Sequence, residues 1–339
     1  MYTYKQSERG MGKALPQLGR LDPEIDLSIV VVNYNTCHLL DELFASIARA
    51  TQGLSVQVIV VENASTDASV AYLKKTAYPV ELVFNPKNVG FGRANNQALP
   101  LVRGRHVLLL NTDAFVSEDT FTKTIAFMDE HPDCGVLGVR LVGREGELQP
   151  SCRYRPTMAN IFLNKTGLSK CFPSVRAVDD MVWPHDSVRE CDWVPGCYYL
   201  IRREVLSQVG LFDPRFFMYY EEVDHCIRVQ QAGWKVFFYP FTQVVHIGGE
   251  SAKSVAEISK AGRQISALQM ESEWLFVRKH HGLLGLWAHL ALLVLADLIQ
   301  LAKDLIKRRC GAVALQNLAR MRAAWSILNK TRWGMVPTR

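Results

Sequence analysis

The chain has 339 residues, 48% hydrophobic and 21% charged, and a net charge of +6. That is enough apolar material for a full core plus appendages, and it excludes a disordered chain. Nine Lys/Arg against one Asp over 303–339 give the tail +8, so everything before it carries −2.

Met1 to Glu24 has no apolar period and holds Gly10, Gly12, Pro16, Gly19 and Pro23. It reads as a mobile leader without the apolar core of a secretory signal. Eight scattered cysteines with no Cys-x-x-Cys pair agree with the reducing cytoplasm.

Four short apolar runs follow, Leu27 to Val32, Val56 to Val61, Val80 to Phe84 and His106 to Leu110. Each is nearly continuous, the pattern of a strand covered on both faces. Helical-period segments lie between them: His38 to Ala50, Asp67 to Lys75 and Gly92 to Leu99. Strand and helix alternate, which predicts an α/β fold with a mostly parallel sheet flanked by helices. The runs stop on Asn33-Tyr34-Asn35, Glu62-Asn63, Asn85 and Asn111-Thr112-Asp113. Such stops also end strands and cap helices, and Ser65, Thr66 and Asp67 are candidate caps. As a set, four polar stops on successive strands converge on the crevice outside the carboxyl ends of a parallel sheet. The fourth has the look of a metal-holding place at Asp113.

Further on, the sequence predicts a strand from Tyr198 to Arg202 and a short helix from Arg203 to Val209. Then comes an aromatic run ending Phe216-Phe217-Met218-Tyr219-Tyr220, followed by Glu221, Glu222 and Asp224 at the start of another helix. Acids in a first turn suit the helix dipole. Aromatic walls would also raise a carboxylate's proton affinity towards the range a general base needs. Glu221 and Asp224 share a helix face, and Glu222 projects about a quarter-turn away. Two strands, Lys235 to Tyr239 and Gln243 to Val245, lead to His246. If that strand joins the same sheet, His246 reaches the edge where Asp113 sits. A carboxylate and an imidazole, completed by phosphate oxygens and water, make a workable Mg²⁺ or Mn²⁺ site.

Leu283 to Ala296 is apolar apart from His289, and helical spacing continues past Asp297 to Lys307-Arg308-Arg309. Fourteen residues fall short of the roughly twenty needed to span a bilayer. The segment reads as a helix lying in an anionic membrane surface or, alternatively, packed on the main domain. The tail has no zinc-finger or aromatic-interleaved pattern for nucleic acid.

Taken in order, five segments resemble the family 2 glycosyltransferases of GT-A fold, rhamnosyltransferase-like branch. They are Ser28 to Asn35, Val60 to Asp67, Asn88 to Asn96, Leu110 to Asp113, and Gly210-Leu211-Phe212-Asp213 through Asp224. The resemblance implies a GT-A domain over 25–252, with a nucleotide-sugar half (25–115) and an acceptor half (116–252), before a helical basic extension over 253–339. It implies that Asn33 and Tyr34 floor the nucleotide and that Glu62, beside Asn63, takes the place of an Asp contacting base or ribose. Asn88 and Arg93 would lie beside the diphosphate. Asn111-Thr112-Asp113 would be the metal motif with Asp113 as ligand, His246 a second ligand, and Glu222 the base, next to Glu221 and Asp224. The implied activity is inverting, metal-dependent transfer of a sugar, with rhamnose a candidate, from a dTDP- or UDP-linked donor. The implied acceptor is a glycan or polyprenyl-diphosphate-linked glycan at the inner face of the cell membrane. Cys152 to Asp192 would form the acceptor-facing loop. Two readings compete: a nucleotidyltransferase, which lacks here the Gly/Arg/Lys-rich loop after its first strand, and a non-enzymatic membrane or nucleic-acid-binding module.

Overall fold

The computed structural model describes residues 17–248, 258–306 and 322–339. Ten strands form one mixed sheet, with main order β3-β2-β1-β4-β9-β6-β10-β5. The first four in that order are β3 (Glu81–Phe84), β2 (Val56–Glu62), β1 (Leu27–Asn33) and β4 (His106–Asn111), all mutually parallel. Next, β9 (Tyr198–Arg202) runs antiparallel to both β4 and β6 (Cys134–Val142), and β6 pairs in parallel with β10 (Lys235–His246). At the far edge β5 (Ala114–Val116) pairs antiparallel with β10, while two-residue strands β7 (Leu148–Gln149) and β8 (Arg189–Glu190) flank β6 and β10. Six of the eight main strands therefore share one direction.

The near-continuous apolar runs are explained by two cores, one on each face. Val30, Ile59, Val61 and Leu109 point into one core; Ile29, Val31, Val60 and Leu108 point into the other. On the second face α1 (Cys37–Ala50) presents Leu39, Leu40, Leu43, Phe44 and Ile47, the i, i+3, i+4 stripe of an amphipathic helix. With it pack α2 (Ser69–Lys75) through Leu73 and α4 (Thr120–Glu130) through Phe121, Ile125 and Met128. The first face carries α3 (Phe91–Ala98), α6 (Arg203–Val209) and α7 (Glu221–Gln231).

The strands and helices of the first third lie within two residues of their predicted limits. Two differences have physical causes. The pair of strands predicted over 235–245 is one strand whose register slips between Tyr239 and Gln243, where Pro240 can donate no ladder bond. In the leader, residues 17–24 are tied down: Gly19 N donates to Leu99 O and Asp22 N to Arg103 O. Its first sixteen residues lie outside those described.

Beyond α5 (Met158–Thr166), the last long element is α8 (Ile258–Ile306), kinked at Gly282, whose φ of 70° belongs to the left-handed region. Its first arm buries Trp274, Leu275, Phe276 and Val277 in the main core. The second arm buries Leu286 and Ala296 but leaves Leu284 86% and Leu298 56% exposed. By length and composition Ala267–Lys303 could cross a membrane. The basic run Lys307-Arg308-Arg309 lies outside the described residues.

Candidate active site

The ends of β1 and β2 form a dense polar shelf. Asn33 Nδ2 donates to Glu62 Oε2 at 2.5 Å and to Ser65 Oγ at 3.2 Å, while its Oδ1 accepts from Thr36 Oγ1 at 2.9 Å. Glu62 Oε1 accepts from Ser65 N at 2.5 Å. Both carboxylate oxygens of Glu62 are thus occupied within the shelf, so it organises the β2 turn. Asn63 Oδ1 accepts from Val89 N and Asn85 Nδ2, and its Nδ2 donates to Asn88 Oδ1 at 2.9 Å. Asn88 Oδ1 also accepts from Gly90 N. Tyr34 stands half-buried at the mouth. Asn35 and Ala64 adopt left-handed backbone (φ 54° and 65°), turning both strand ends sharply. Ser65 and Thr66 bond across to Asn33 and Asn35, and Asp67 accepts from Ser69 N and Cys37 N. These groups therefore stitch the shelf together as well as leading into α2.

Beyond β4 the chain leaves one part of the sheet and joins another. Asn111, half-exposed, donates its N–H to Cys197 O; Thr112 Oγ1 accepts from Thr36; and Ala114 then pairs with His246. This jump carries Asp113 to β10. His246 Nε2 lies 3.6 Å from Asp113 Oδ1, and its Nδ1 sits 2.9 Å from Gln149 Oε1. Burial lowers the proton affinity of His246 against the opposing pull of Asp113, favouring the neutral, ligating imidazole. A hydrogen-bond acceptor on the other ring nitrogen fixes the ring, the usual support for a metal-binding histidine. Two side chains fit a divalent ion whose other ligands come from diphosphate and water. Among the described residues there is no cluster of three or more His, Cys, Asp or Glu suited to a metal.

The acids of α7 divide into different environments. Glu221 is buried, and its Cβ lies 3.7 Å from where a methyl on Gly92 would stand, so it packs on the start of α3. Glu222 keeps part of its surface exposed. Each has one buried carboxylate oxygen without a hydrogen-bond partner in the protein. Burial raises the proton affinity of Glu222, and burial followed by the neighbouring Glu222 charge raises that of Glu221 further. Asp224 is fully buried, with Arg228 Nε at 3.0 Å, Lys279 Nζ at 2.5 Å and His280 Nε2 at 2.8 Å. Burial opposes its ionisation, but the His280 bond and the Lys279 and Arg228 charges outweigh it and hold the carboxyl well below its ordinary range. Enclosed by Arg228, Lys279 and His280, Asp224 anchors its helix.

Asp113 and Glu222 stand 109 positions apart in the sequence. The thiol of Cys197 is pushed up by burial first and by the Asp113 carboxylate next, with Glu222 adding in the same direction. Cys197 precedes β9, the strand beside β4, and its carbonyl accepts from Asn111 N at 3.1 Å. Arg93, expected beside a diphosphate, donates from Nε to Pro214 O at 2.7 Å and from Nη2 to Arg339 O at 2.8 Å. Phe91 N donates to Phe217 O at 2.8 Å, and Gly90 (φ 88°) permits that approach, since a Cβ there would strike the same carbonyl. Sequence reasoning missed Gln149, Cys197, Lys279 and His280. None stands in a motif, and each acquires its place only through strand order or helix packing.

Residues 28–226 match the family described as Glycosyl transferase family 2. The chain is similar to the N-acetylglucosaminyl-diphospho-decaprenol L-rhamnosyltransferase of Mycobacterium tuberculosis, 26% identical over 244 residues that cover 65% of this chain and 75% of the relative. The minor teichoic acid biosynthesis protein GgaB of Bacillus subtilis is 28% identical over 189 residues, 54% of this chain and 19% of that protein. In fold it matches a mannosyltransferase from Pyrobaculum calidifontis, solved with GDP-Man and Mn²⁺, at TM-score 0.54 and 16% identity over 95% of this chain and 92% of that one. With more than half its length matched, the chain belongs to glycosyl transferase family 2 and is a glycosyltransferase of GT-A fold.

Proposed function

We propose that the protein is an inverting, metal-dependent glycosyltransferase with Glu222 as its base, transferring a sugar, with rhamnose the first candidate, from a dTDP- or UDP-linked donor. The proposed acceptor is a polyprenyl-diphosphate-linked glycan at the cytoplasmic face of the membrane. The observation that carries the reading is Glu222 itself: partly exposed, raised in proton affinity by burial, and with one carboxylate oxygen unpartnered. The names of the mycobacterial and Bacillus relatives support an acceptor of cell-envelope type.

In this mechanism the polar shelf of Asn33, Asn63 and Asn88 orients the nucleotide, with Tyr34 at its edge. The acceptor hydroxyl oxygen attacks the anomeric carbon, the carbon–oxygen bond to the diphosphate breaks, and the bonding pair leaves on the phosphate oxygen. Glu222 accepts the hydroxyl proton, and this single displacement inverts the anomeric centre. Burial and the neighbouring Glu222 charge favour the neutral form of Glu221 beside it. Asp113 and His246 would hold a Mg²⁺ or Mn²⁺ ion, which supplies charge neutralisation at the departing diphosphate when bound.

The second arm of α8 supports the membrane part of the reading. Leu284, Trp287, Leu295 and Leu298 form an exposed apolar face. Beneath it a cavity of about 990 Å³ is lined by Trp274, Leu290, Leu293, Trp325 and Leu328, room for an apolar chain. The deciding experiment is Glu222→Gln: nucleotide-sugar binding should stay near parental while turnover falls by about 10²–10⁴. Parental turnover in that variant would overturn the mechanism.

A further inference from the structure

Apart from the groups that would touch substrate, the densest buried charge in the described residues lies between the first arm of α8 and the segment leading into α7. We infer that Lys279 and His280 are positioning residues for the Glu221–Glu222 pair and act on it through Asp213 and Asp224. The inference rests on the assignment of Glu222 as base.

Lys279 Nζ lies 2.8 Å from Asp213 Oδ2 and 2.5 Å from Asp224 Oδ1, so one ammonium joins the two ends of the 213–224 segment. His280 Nε2 adds a second contact to Asp224 Oδ1 at 2.8 Å, while Arg228 holds the other oxygen and Arg215 binds Asp213. Within the bridged segment Tyr219 and Tyr220 both have left-handed backbone, φ 71° and 67°, immediately before Glu221. Two successive non-glycine residues in that region persist only where the surroundings fix them. The surroundings here are again the first arm of α8: Ser272 Oγ donates to Met218 O at 2.8 Å, and the Phe276 ring lies 5.0 Å from that of Tyr220.

Asp224 lies one helical turn beyond Glu221, so a shift at the anchor moves the first turn that carries both glutamates. This gives the Gly210-Leu211-Phe212-Asp213 segment a function: Asp213 is the near post of the bridge and Asp224 the far one. Displacements of about 1 Å at a reacting group lower turnover by about 10²-fold.

The test uses the full chain, the dTDP- or UDP-sugar that supports parental turnover, and calorimetric binding of free dTDP and UDP. Lys279→Met should lower kcat by about 10- to 100-fold with nucleotide affinity within about twofold, and Lys279→Arg should restore most of the loss. His280→Gln, which removes the imidazole contact to Asp224, should lower kcat by about two- to tenfold. The double variant Lys279→Met/Asp224→Asn leaves no unpaired buried carboxylate and decides the matter if the single variant unfolds. Its kcat should fall by the same 10- to 100-fold, because the two residues act along one path. Parental kcat in a folded variant lacking Lys279, or nucleotide affinity falling in step with kcat, overturns the inference. Glu222→Gln separates the two claims. If it turns over at the parental rate the base assignment fails, whereas a slow Glu222→Gln beside a parental Lys279→Met defeats the positioning role alone.

Discussion

Glu221 and Glu222 are adjacent and chemically alike, yet their surroundings give them different work. Glu221 is packed against Gly92 at the start of α3 and has the more strongly raised proton affinity. Burial and the Glu222 charge favour its neutral form, so Glu221→Gln should keep kcat within about tenfold of parental, against the loss of about 10²–10⁴ in Glu222→Gln. Steady-state kinetics on the two variants side by side checks this. Because the base must be ionised, kcat should fall as the pH drops through the raised value of Glu222, at a pH above the ordinary glutamate value of about 4.3. At the opposite wall, Asp113→Asn should raise the Mn²⁺ concentration for half-maximal activity at least tenfold, about 1.4 kcal/mol of binding. A metal titration reads it, and an unchanged midpoint would remove Asp113 from the ion. These carboxylates were legible in the sequence because they stand at strand ends or after an aromatic run. The partners of Asp224 were not legible, because spacing reveals a shared helix face but not the three side chains that close over it, two of them more than fifty residues away.

Among the elements, β1 to β4 and the helices between them could be read because buried parallel strands are continuous apolar runs with polar stops. The strands β5 to β8 were not, since two are only two residues long and β5 gains its partner by jumping to the far edge of the sheet. Cys152 to Asp192, expected as an acceptor-facing loop, contains a helix, α5, begun by a reciprocal Thr157–Asn160 capping box. In α8 one helix serves two purposes separated by the turn at Gly282: a first arm that grips the active-site segment and a second that turns Leu284 and Leu298 outward. Replacing both by Glu should cut association with anionic vesicles at least tenfold, while transfer to a short water-soluble acceptor stays within about twofold. Vesicle sedimentation beside a soluble assay makes the comparison, and equal vesicle binding by variant and parent would remove this face from the membrane.

At the scale of the molecule, buried ion pairs link stability to pH. Asp213 and Asp224 have folded-state proton affinities below the ordinary range, so their contribution is fully present above about pH 4 and is lost as the pH falls towards the folded values. Thermal melts should show Tm falling steeply below about pH 4, and Asp224→Asn should flatten that fall while lowering stability at pH 7 by about 3–5 kcal/mol. A profile as steep in the variant as in the parent would contradict the linkage.

The proposed mechanism requires the carboxylates at 113 and 222 to work on one bound donor. A crystal structure of the Glu222→Gln chain with Mn²⁺ and the donor nucleotide sugar tests this most directly, with the ion located by its anomalous scattering. The predicted result is manganese bound by Asp113 and His246 Nε2, with the sugar's anomeric carbon facing the side chain at 222. Manganese held elsewhere, or a sugar turned away from position 222, would contradict it.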